Sequence, residues 1–357
     1  MPPCKTLVIL TPGFPKNEKD STCLPLQQNL VKSIQRNYPD IHLVVLSFQY
    51  PYTREMYSWQ GIKIFCFNGQ NKGGLKRLLL RRKVYQRLRQ LHYSKKIVGL
   101  LSFWYGECAA TAEVFAHKFH LKHYCWLLGQ DARKENGYPA RIKLPGRKLL
   151  AISDFIQEEF QFNHSVRPAR VLNPGIDPKQ FTDSQNARNI DLLAVGSLIP
   201  LKQFDMVPLV VAALKDQFAD VSACIVGTGP ERDRIENKIR ESGLEKNITL
   251  TGEMGYAEVL DLMRQSKILL HPSSYEGFGM VMIEALHASC HVISFCKPSK
   301  RHWPQWHIVQ TAEEMAAKAA SLLANPSTTY ERITYATIDD TAGQLIELLE
   351  STETIPV

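Results

Sequence analysis

The chain is 357 residues long with a formal net charge of +8, 44% hydrophobic and 22% charged residues, which excludes a disordered or fibrous polypeptide. At roughly 150 residues per domain, this length predicts two domains, each large enough to bury its own core. The eight cysteines form no C-x-x-C pair, which argues against a zinc site and for reduced, buried thiols.

The first strand is predicted over Thr6–Leu10, an apolar run too short and too close to Met1 for a secretory signal. The longest later apolar stretch, Ile97–Tyr105, is too short for a bilayer span, so a cytoplasmic protein is expected. Further strands are predicted over His42–Phe48 and Ile62–Phe67. Between Glu55 and Glu107 there are eleven lysines and arginines and no acid, so the remainder of the chain is net negative. Within this stretch Leu75, Leu78, Leu79, Val84, Tyr85, Leu88 and Leu91 recur at helical spacing. That predicts a helix over 75–96 with one apolar face and a cationic remainder. Such a helix suits either an anionic membrane surface or a solvated outer layer packed on a sheet. The interleaved aromatics of a single-strand binder are missing, so no nucleic-acid partner is expected.

Strands over Ile97–Ser102, His123–Trp126 and Leu149–Ile152 complete the first half, and Ser153 and Asp154 read as helix caps. The run Pro168–Pro178, with three prolines and a glycine, and the polar stretch Thr182–Asn189 read as an interdomain connection. The second half repeats the rhythm, with strands over Leu192–Val195, Ser222–Val226, Ile248–Leu250, Ile268–Leu270 and Val292–Phe295. Alternating strands and helices imply parallel sheets covered on both faces, and ligands of such sheets bind beyond the carboxyl ends of the strands.

Two motifs lie at such ends. Gly227-Thr-Gly229-Pro230 follows a strand and enters a helix; it reads either as a phosphate approach or as a tight structural turn. The second, from Ile268 to Leu286, runs from a buried strand through a glycine-flanked loop into a helix beginning near Met280. Gly279 and Met280 then offer amides to a diphosphate, and Glu276 and Glu284 can accept from sugar hydroxyls.

The E-x7-E spacing of Glu276 and Glu284 around E-G-F-G resembles the retaining glycosyltransferases of family 4. Val195-Gly-Ser-Leu198 with Lys202, Gly227-Thr-Gly-Pro230, Ile248-Thr-Leu-Thr-Gly252 and Asn173-Pro-Gly-Ile-Asp177 are similar to the same family. The resemblance implies the GT-B fold, two Rossmann-like parallel-sheet domains facing across a cleft. The expected boundaries are an acceptor domain over 1–174, a linker over 175–189, a donor domain over 190–325, and C-terminal helices over 326–357 that pack back on the first domain.

The resemblance further implies a hexosyltransferase acting on a glycan or lipid-linked acceptor in polysaccharide or lipopolysaccharide biosynthesis. No resident cofactor or metal is expected, a UDP- or GDP-hexose serving as co-substrate. Lys202 and Glu276 become the catalytic residues, Lys202 on the diphosphate and Glu276 on the donor sugar. Glu284 is assigned to the ribose, Gly277, Phe278, Gly279 and Met280 to sugar and diphosphate through their amides, and Gly252 and Glu253 to the base. Gly196, Ser197, Gly227 and Gly229 complete the donor set. Ser197 stands where the family often has arginine, and Lys297, Lys300, Arg301 and His302 are proximal cations that would compensate. Leu128 replaces a family histidine. On the acceptor side Gly13, Trp104, Tyr105, Glu107, Gln130, Asp131 and Arg133 are the expected contacts. A sugar-nucleotide epimerase, a nicotinamide-dependent oxidoreductase using Gly227-x-Gly229, and a silent glycan-binding scaffold are the alternatives. The oxidoreductase lacks an acidic ribose ligand near Asn247–Leu250.

Overall fold

The computed structural model describes residues 5–181 and 187–351. It divides into two compact units, Met1–Gly175 with Ala336–Val357, and Ile176–Tyr335. No separate linker begins at 175: Ile176 and Phe181 are buried, and the Phe181 ring packs edge-on against His287 of the second unit at 4.5 Å. Residues 182–186 of the polar stretch lie outside the described residues. Residues 326–335 also belong to the second unit, where the Ile333 amide donates to Leu286 O at 3.0 Å.

The first unit is built on an eight-stranded sheet: β1 (Lys5–Gly13), β2 (Ile41–Tyr50), β3 (Met56–Trp59), β4 (Ile62–Cys66), β5 (Lys96–Phe103), β6 (His123–Leu127), β7 (Leu149–Ala151) and β8 (Arg170–Val171). Their spatial order is β3-β4-β2-β1-β5-β6-β7-β8. All pairs are parallel except β3 with β4, which are joined through Gln60 and Gly61, both with positive φ, 51° and 81°. That two-residue loop has the backbone of a hairpin turn matching strand twist. The central strands carry Val, Ile and Leu buried on both faces, as helices on both sides of a parallel sheet require.

The basic helix spans Gly74–Ser94, and it has two apolar faces rather than the one expected. Leu80, Val84, Leu88 and Leu91 are buried, whereas Leu75, Leu78 and Leu79 are 80%, 63% and 55% exposed. At 3.6 residues per turn the second set lies on the side opposite the first, so leucines at helical spacing here point both ways.

The C-terminal helix Ile338–Glu350 packs within the first unit. Thr337 and Asp340 form a capping box at its start, and Ser33 Oγ donates to Asp339 at 2.6 Å. The Lys122 ammonium donates to Leu349 O at 3.0 Å at its other end, where a cation complements the helix dipole.

The second unit has six parallel strands: β9 (Ile190–Val195), β10 (Ala223–Val226), β11 (Ile248–Gly252), β12 (Ser266–His271), β13 (His291–Ser294) and β14 (Trp306–Ile308). Their order is β11-β10-β9-β12-β13-β14. Its core gathers Leu192, Val210, Ile225, Ile235, Ile268 and Met315 between the sheet and its helices. The chain winds outward from β9 in one direction, then crosses to β12 and winds in the other, so the loops after β9 and β12 flank the point where strand order reverses. In the first unit that point lies between β1 and β5.

Candidate functional site

The reversal between β9 and β12 is where such sheets hold ligands, and two sequence-predicted residues meet there. Lys202, on the short turn Pro200–Lys202 after β9, forms an ion pair with Glu276 in the loop after β12. The two loops are stapled together, since the Ser274 amide and hydroxyl both donate to Leu201 O, at 3.1 and 3.2 Å. His271 ends β12 and is fully buried, and its Nε2 donates to Glu276 Oε1 at 2.8 Å. Burial opposes ionisation of Glu276, but His271 and Lys202 outweigh it and hold the carboxyl well below its usual range. Burial favours the neutral ring of His271, whose Nδ1, the lone-pair nitrogen when Nε2 donates, is buried without a partner among the described residues.

The helix Met280–His287 begins beside this pair. Gly279, its N-cap, has φ +75°. That left-handed backbone favours glycine, and a Cβ there would lie 2.1 Å from the flexible end of Met282 and 3.7 Å from Glu276 Cγ, so the helix N-terminus abuts Glu276. The Met282 amide turns back to Gly279 O at 3.0 Å, and the amides of Met280 and Val281 ahead of it stand at the positive dipole end of the helix. One turn on, Glu284 is 6% exposed and accepts from the Tyr256 hydroxyl at 2.7 Å. Burial pushes its carboxyl up to about 7 despite that hydrogen bond, so at neutral pH it is balanced between donor and acceptor rather than fixed as a carboxylate.

The glycines after β9 and β10 serve close packing. A Cβ on Gly227 would fall 1.9 Å from Gly196 O and one on Gly229 2.3 Å from Leu198 O. Backbone bonds from Gly196 to Val226 O and from Leu198 to Thr228 O, 3.0 and 2.9 Å, join the two loops. Of the two readings of this motif, the structural turn accounts for the contacts seen. The Phe278 side chain is buried edge-on against Tyr335 at 5.2 Å, leaving only its backbone to a ligand. Ser197 and Glu253 are exposed, and Gly252 turns the chain with φ +81°. Lys297, Arg301 and His302 line a cavity at β14 whose lining does not include Lys202. Among the described residues no three His, Cys, Asp or Glu side chains are grouped to hold a metal ion. His271 and Tyr256 carry no motif. The one signal that could have found His271 is its place as the last residue of a buried strand.

In the first unit, Trp104 follows β5 at the reversal point with φ +64° and is half-buried, a strained conformation for a bulky residue. Gly13 ends β1 on the other side of that point, though a Cβ there would make only ordinary contacts, at 3.6 Å, with Leu24 and Tyr50. Three expected acceptor contacts have structural employment. Tyr105 is buried against the Phe160 ring at 5.7 Å, its hydroxyl accepting from the Leu144 amide at 2.7 Å. Asp131 is buried and caps its own turn, accepting from the Leu128 amide at 2.8 Å. Glu107 pairs with Arg77 at 2.5 Å and accepts from Gln49 Nε2 at 3.0 Å. Gln130 is exposed and Arg133 half-buried.

The family model described as glycosyl transferases group 1 matches residues 177–339. The chain is 30% identical over 133 residues to the phosphatidylinositol N-acetylglucosaminyltransferase GPI3 subunit of Saccharomyces cerevisiae, covering 36% of this chain and 29% of that protein. It is 27% identical over 150 residues to the corresponding Homo sapiens phosphatidylinositol N-acetylglucosaminyltransferase protein, covering 41% and 31%. The chain thus spans under a third of the length of each of these two relatives. Among solved structures it resembles Anabaena HepE in complex with UDP and glucose, at TM-score 0.70 and 16% identity over 97% of this chain and 99% of that one. The lipopolysaccharide outer core galactosyltransferase WaaB is similar at TM-score 0.62 and 14% identity, covering 98% and 97%. These neighbours have the GT-B fold, and the two parallel-sheet units are that fold.

Proposed function

We propose that this chain, which belongs to the glycosyl transferases group 1 family through residues 177–339, is a retaining hexosyltransferase taking a nucleotide-sugar donor and a glycan or lipid-linked acceptor. The observation that carries the reading is the Lys202–Glu276 pair at the reversal of strand order, with a helix N-terminus beside it. A nucleoside diphosphate arriving there competes with Glu276 for Lys202 and so frees Glu276 to accept from donor-sugar hydroxyls. The bond that breaks joins the anomeric carbon to the bridging phosphate oxygen. The bond that forms joins that carbon, on the same face, to the acceptor hydroxyl oxygen, whose proton leaves with the phosphate. Negative charge grows on the departing oxygen, where a lysine and first-turn amides stabilise it most. Glu284, steadied by Tyr256, accepts from the ribose hydroxyls. The scheme calls for no protein nucleophile and no resident cofactor.

The UDP and glucose held by the HepE neighbour support a uridine donor, with a guanosine donor as the competitor. The phosphatidylinositol named for the yeast and human relatives supports a lipid-linked acceptor, and the WaaB neighbour supports a place in surface-glycan assembly. The outward leucines of the basic helix fit an acceptor presented at an anionic membrane, with the protein peripheral on its cytoplasmic face; no helix among the described residues is long and apolar enough to cross a membrane.

The test is a thermal-shift panel of UDP, GDP, ADP, their hexose conjugates and NAD on the wild type and on Glu284→Ala. Ligand binding raises the melting temperature with concentration over dissociation constant, so a shift with one nucleotide that disappears in the variant is expected. Hexose transfer by the wild type should fall by roughly a hundredfold or more in Lys202→Met, the scale for losing a charge-stabilising donor. A shift with NAD alone, or none with any nucleotide, overturns the reading.

A further inference from the structure

Beyond the donor pocket, a second cationic feature lies at the far edge of the same sheet. A cavity of about 410 Å³ at β14 is lined by Lys297, Arg301, His302, Trp303, His307 and Lys318, with no carboxylate in its wall. Strand β14 is two strands beyond β12, and Lys202, Glu276 and Glu284 are not part of the lining. Among the described residues Lys297, His302 and Lys318 have no ion-pair partner. The Arg301 guanidinium lies 5.4 Å over the Trp303 ring.

His307 is held in one tautomer by its neighbours. His291 Nε2 donates to Thr329 O at 2.9 Å, which leaves His291 Nδ1 to accept from His307 Nε2 at 3.1 Å. The second ring nitrogen of His307, Nδ1, is then uncommitted. Burial, Lys318 from the helix Ala312–Ala324, His291 from β13 and His302 from the preceding loop together push His307 down to about 4. The polar part of the wall is thus a guanidinium fork, two ammonium groups and two imidazoles, beside the apolar Trp306, Ile308 and Val309.

We infer that this cavity binds a phosphate monoester. The arginine fork and lysine point charges match phosphate oxygens, and the volume accommodates the ester's organic part. The site is independent of the donor reading. A phosphate here reverses the local field and draws a proton onto His307.

The experiment titrates the full chain with glycerol 3-phosphate at constant ionic strength, by calorimetry and by NMR of the histidine rings, with His307 assigned through His307→Asn. Saturable binding is expected, weakened by at least about fivefold in the Arg301→Gln/Lys318→Gln double variant, the scale for losing partly exposed charges, and unchanged in Lys202→Gln. The midpoint of the His307 titration should rise above its value in the free protein. A parallel arm measures binding to phosphatidic acid vesicles. Loss of that binding in the double variant identifies the source as a lipid headgroup; loss only of glycerol 3-phosphate binding identifies a free phosphate ester. No saturable binding, an unmoved His307 midpoint, or binding lost in Lys202→Gln but kept in the double variant overturns the inference. Circular dichroism and an unchanged thermal-shift response to nucleotide confirm that the double variant is folded.

Discussion

Glu284 is a carboxyl inside the fold that accepts a hydrogen bond from the Tyr256 hydroxyl. Its folded value of about 7 against an ordinary 4.5 makes it a cost that varies with pH. Below pH 4.5 the group is protonated in folded and unfolded chains alike and costs nothing. As pH rises toward 7 the unfolded chain releases a proton that the folded one retains. Above 7 the fold must carry the buried charge, at a cost of roughly 3 kcal/mol. Glu284→Gln keeps an acceptor for Tyr256 and removes the charge. The variant should therefore gain stability relative to wild type between pH 5 and pH 8, the difference approaching roughly 3 kcal/mol in denaturant melts, while losing the nucleotide-induced shift. A variant whose relative stability is flat across that range would mean Glu284 is ionised without penalty. Keeping such a residue sacrifices stability at neutral pH, which is characteristic of a site rather than of a core.

At the scale of elements, the basic helix Gly74–Ser94 sets a prediction through its geometry. Its inward face buries four aliphatic side chains, and its outward face presents Leu75, Leu78 and Leu79 among lysines and arginines. Exposed leucines cost little in water but gain roughly 1 kcal/mol or more each on entering lipid, and each nearby cation adds about 1 kcal/mol at an anionic surface. Co-sedimentation with phosphatidylserine vesicles should fall at least tenfold in Leu75→Ser/Leu78→Ser/Leu79→Ser, with melting temperature unchanged because none of the three is in the core. No binding to anionic vesicles, or no effect of the substitutions, would leave this face merely solvated, and equal binding to zwitterionic vesicles would remove the role of its cations. The existence of this helix is legible from its spacing, but its orientation is not, because leucines on opposite sides still recur at three- and four-residue steps. The same limit explains the strands. Long buried runs such as Leu7–Leu10 are plain in the sequence, while β3, β8 and β14 are short edge segments whose pairing partners, not their own pattern, make them strands. At the site, Glu276, Lys202 and Gly279 can be read from motif spacing. His271 and Tyr256 cannot, since their roles come from contacts made only when β12 and the helix after β11 are packed.

For the whole chain, the decisive feature is that the last helix leaves the second unit and completes the first. Ile338, Leu345, Ile346, Leu348 and Leu349 are all buried there, and at about 1.5–3 kcal/mol per buried aliphatic side chain their removal approaches the entire 5–15 kcal/mol that typically separates a folded domain from its unfolded chain. The polar ties point the same way: Thr341 Oγ1 donates to Asn173 O at 2.9 Å, and Gly175 packs so closely on Thr337 that a Cβ would fall 2.0 Å from its carbonyl carbon. Truncation after Tyr335 should therefore abolish folding of the first unit and leave the second intact, because Ile176–Tyr335 is a compact unit of its own and the core cluster running from Leu192 to Ala319 is made of its own residues. Calorimetry would show one unfolding transition lost and one retained, and the retained transition should still move with the nucleotide that stabilises the full chain. If both transitions survive, the C-terminal helix is dispensable packing. If both vanish, the two units fold as one cooperative body and the nucleotide pocket depends on the first unit for its stability.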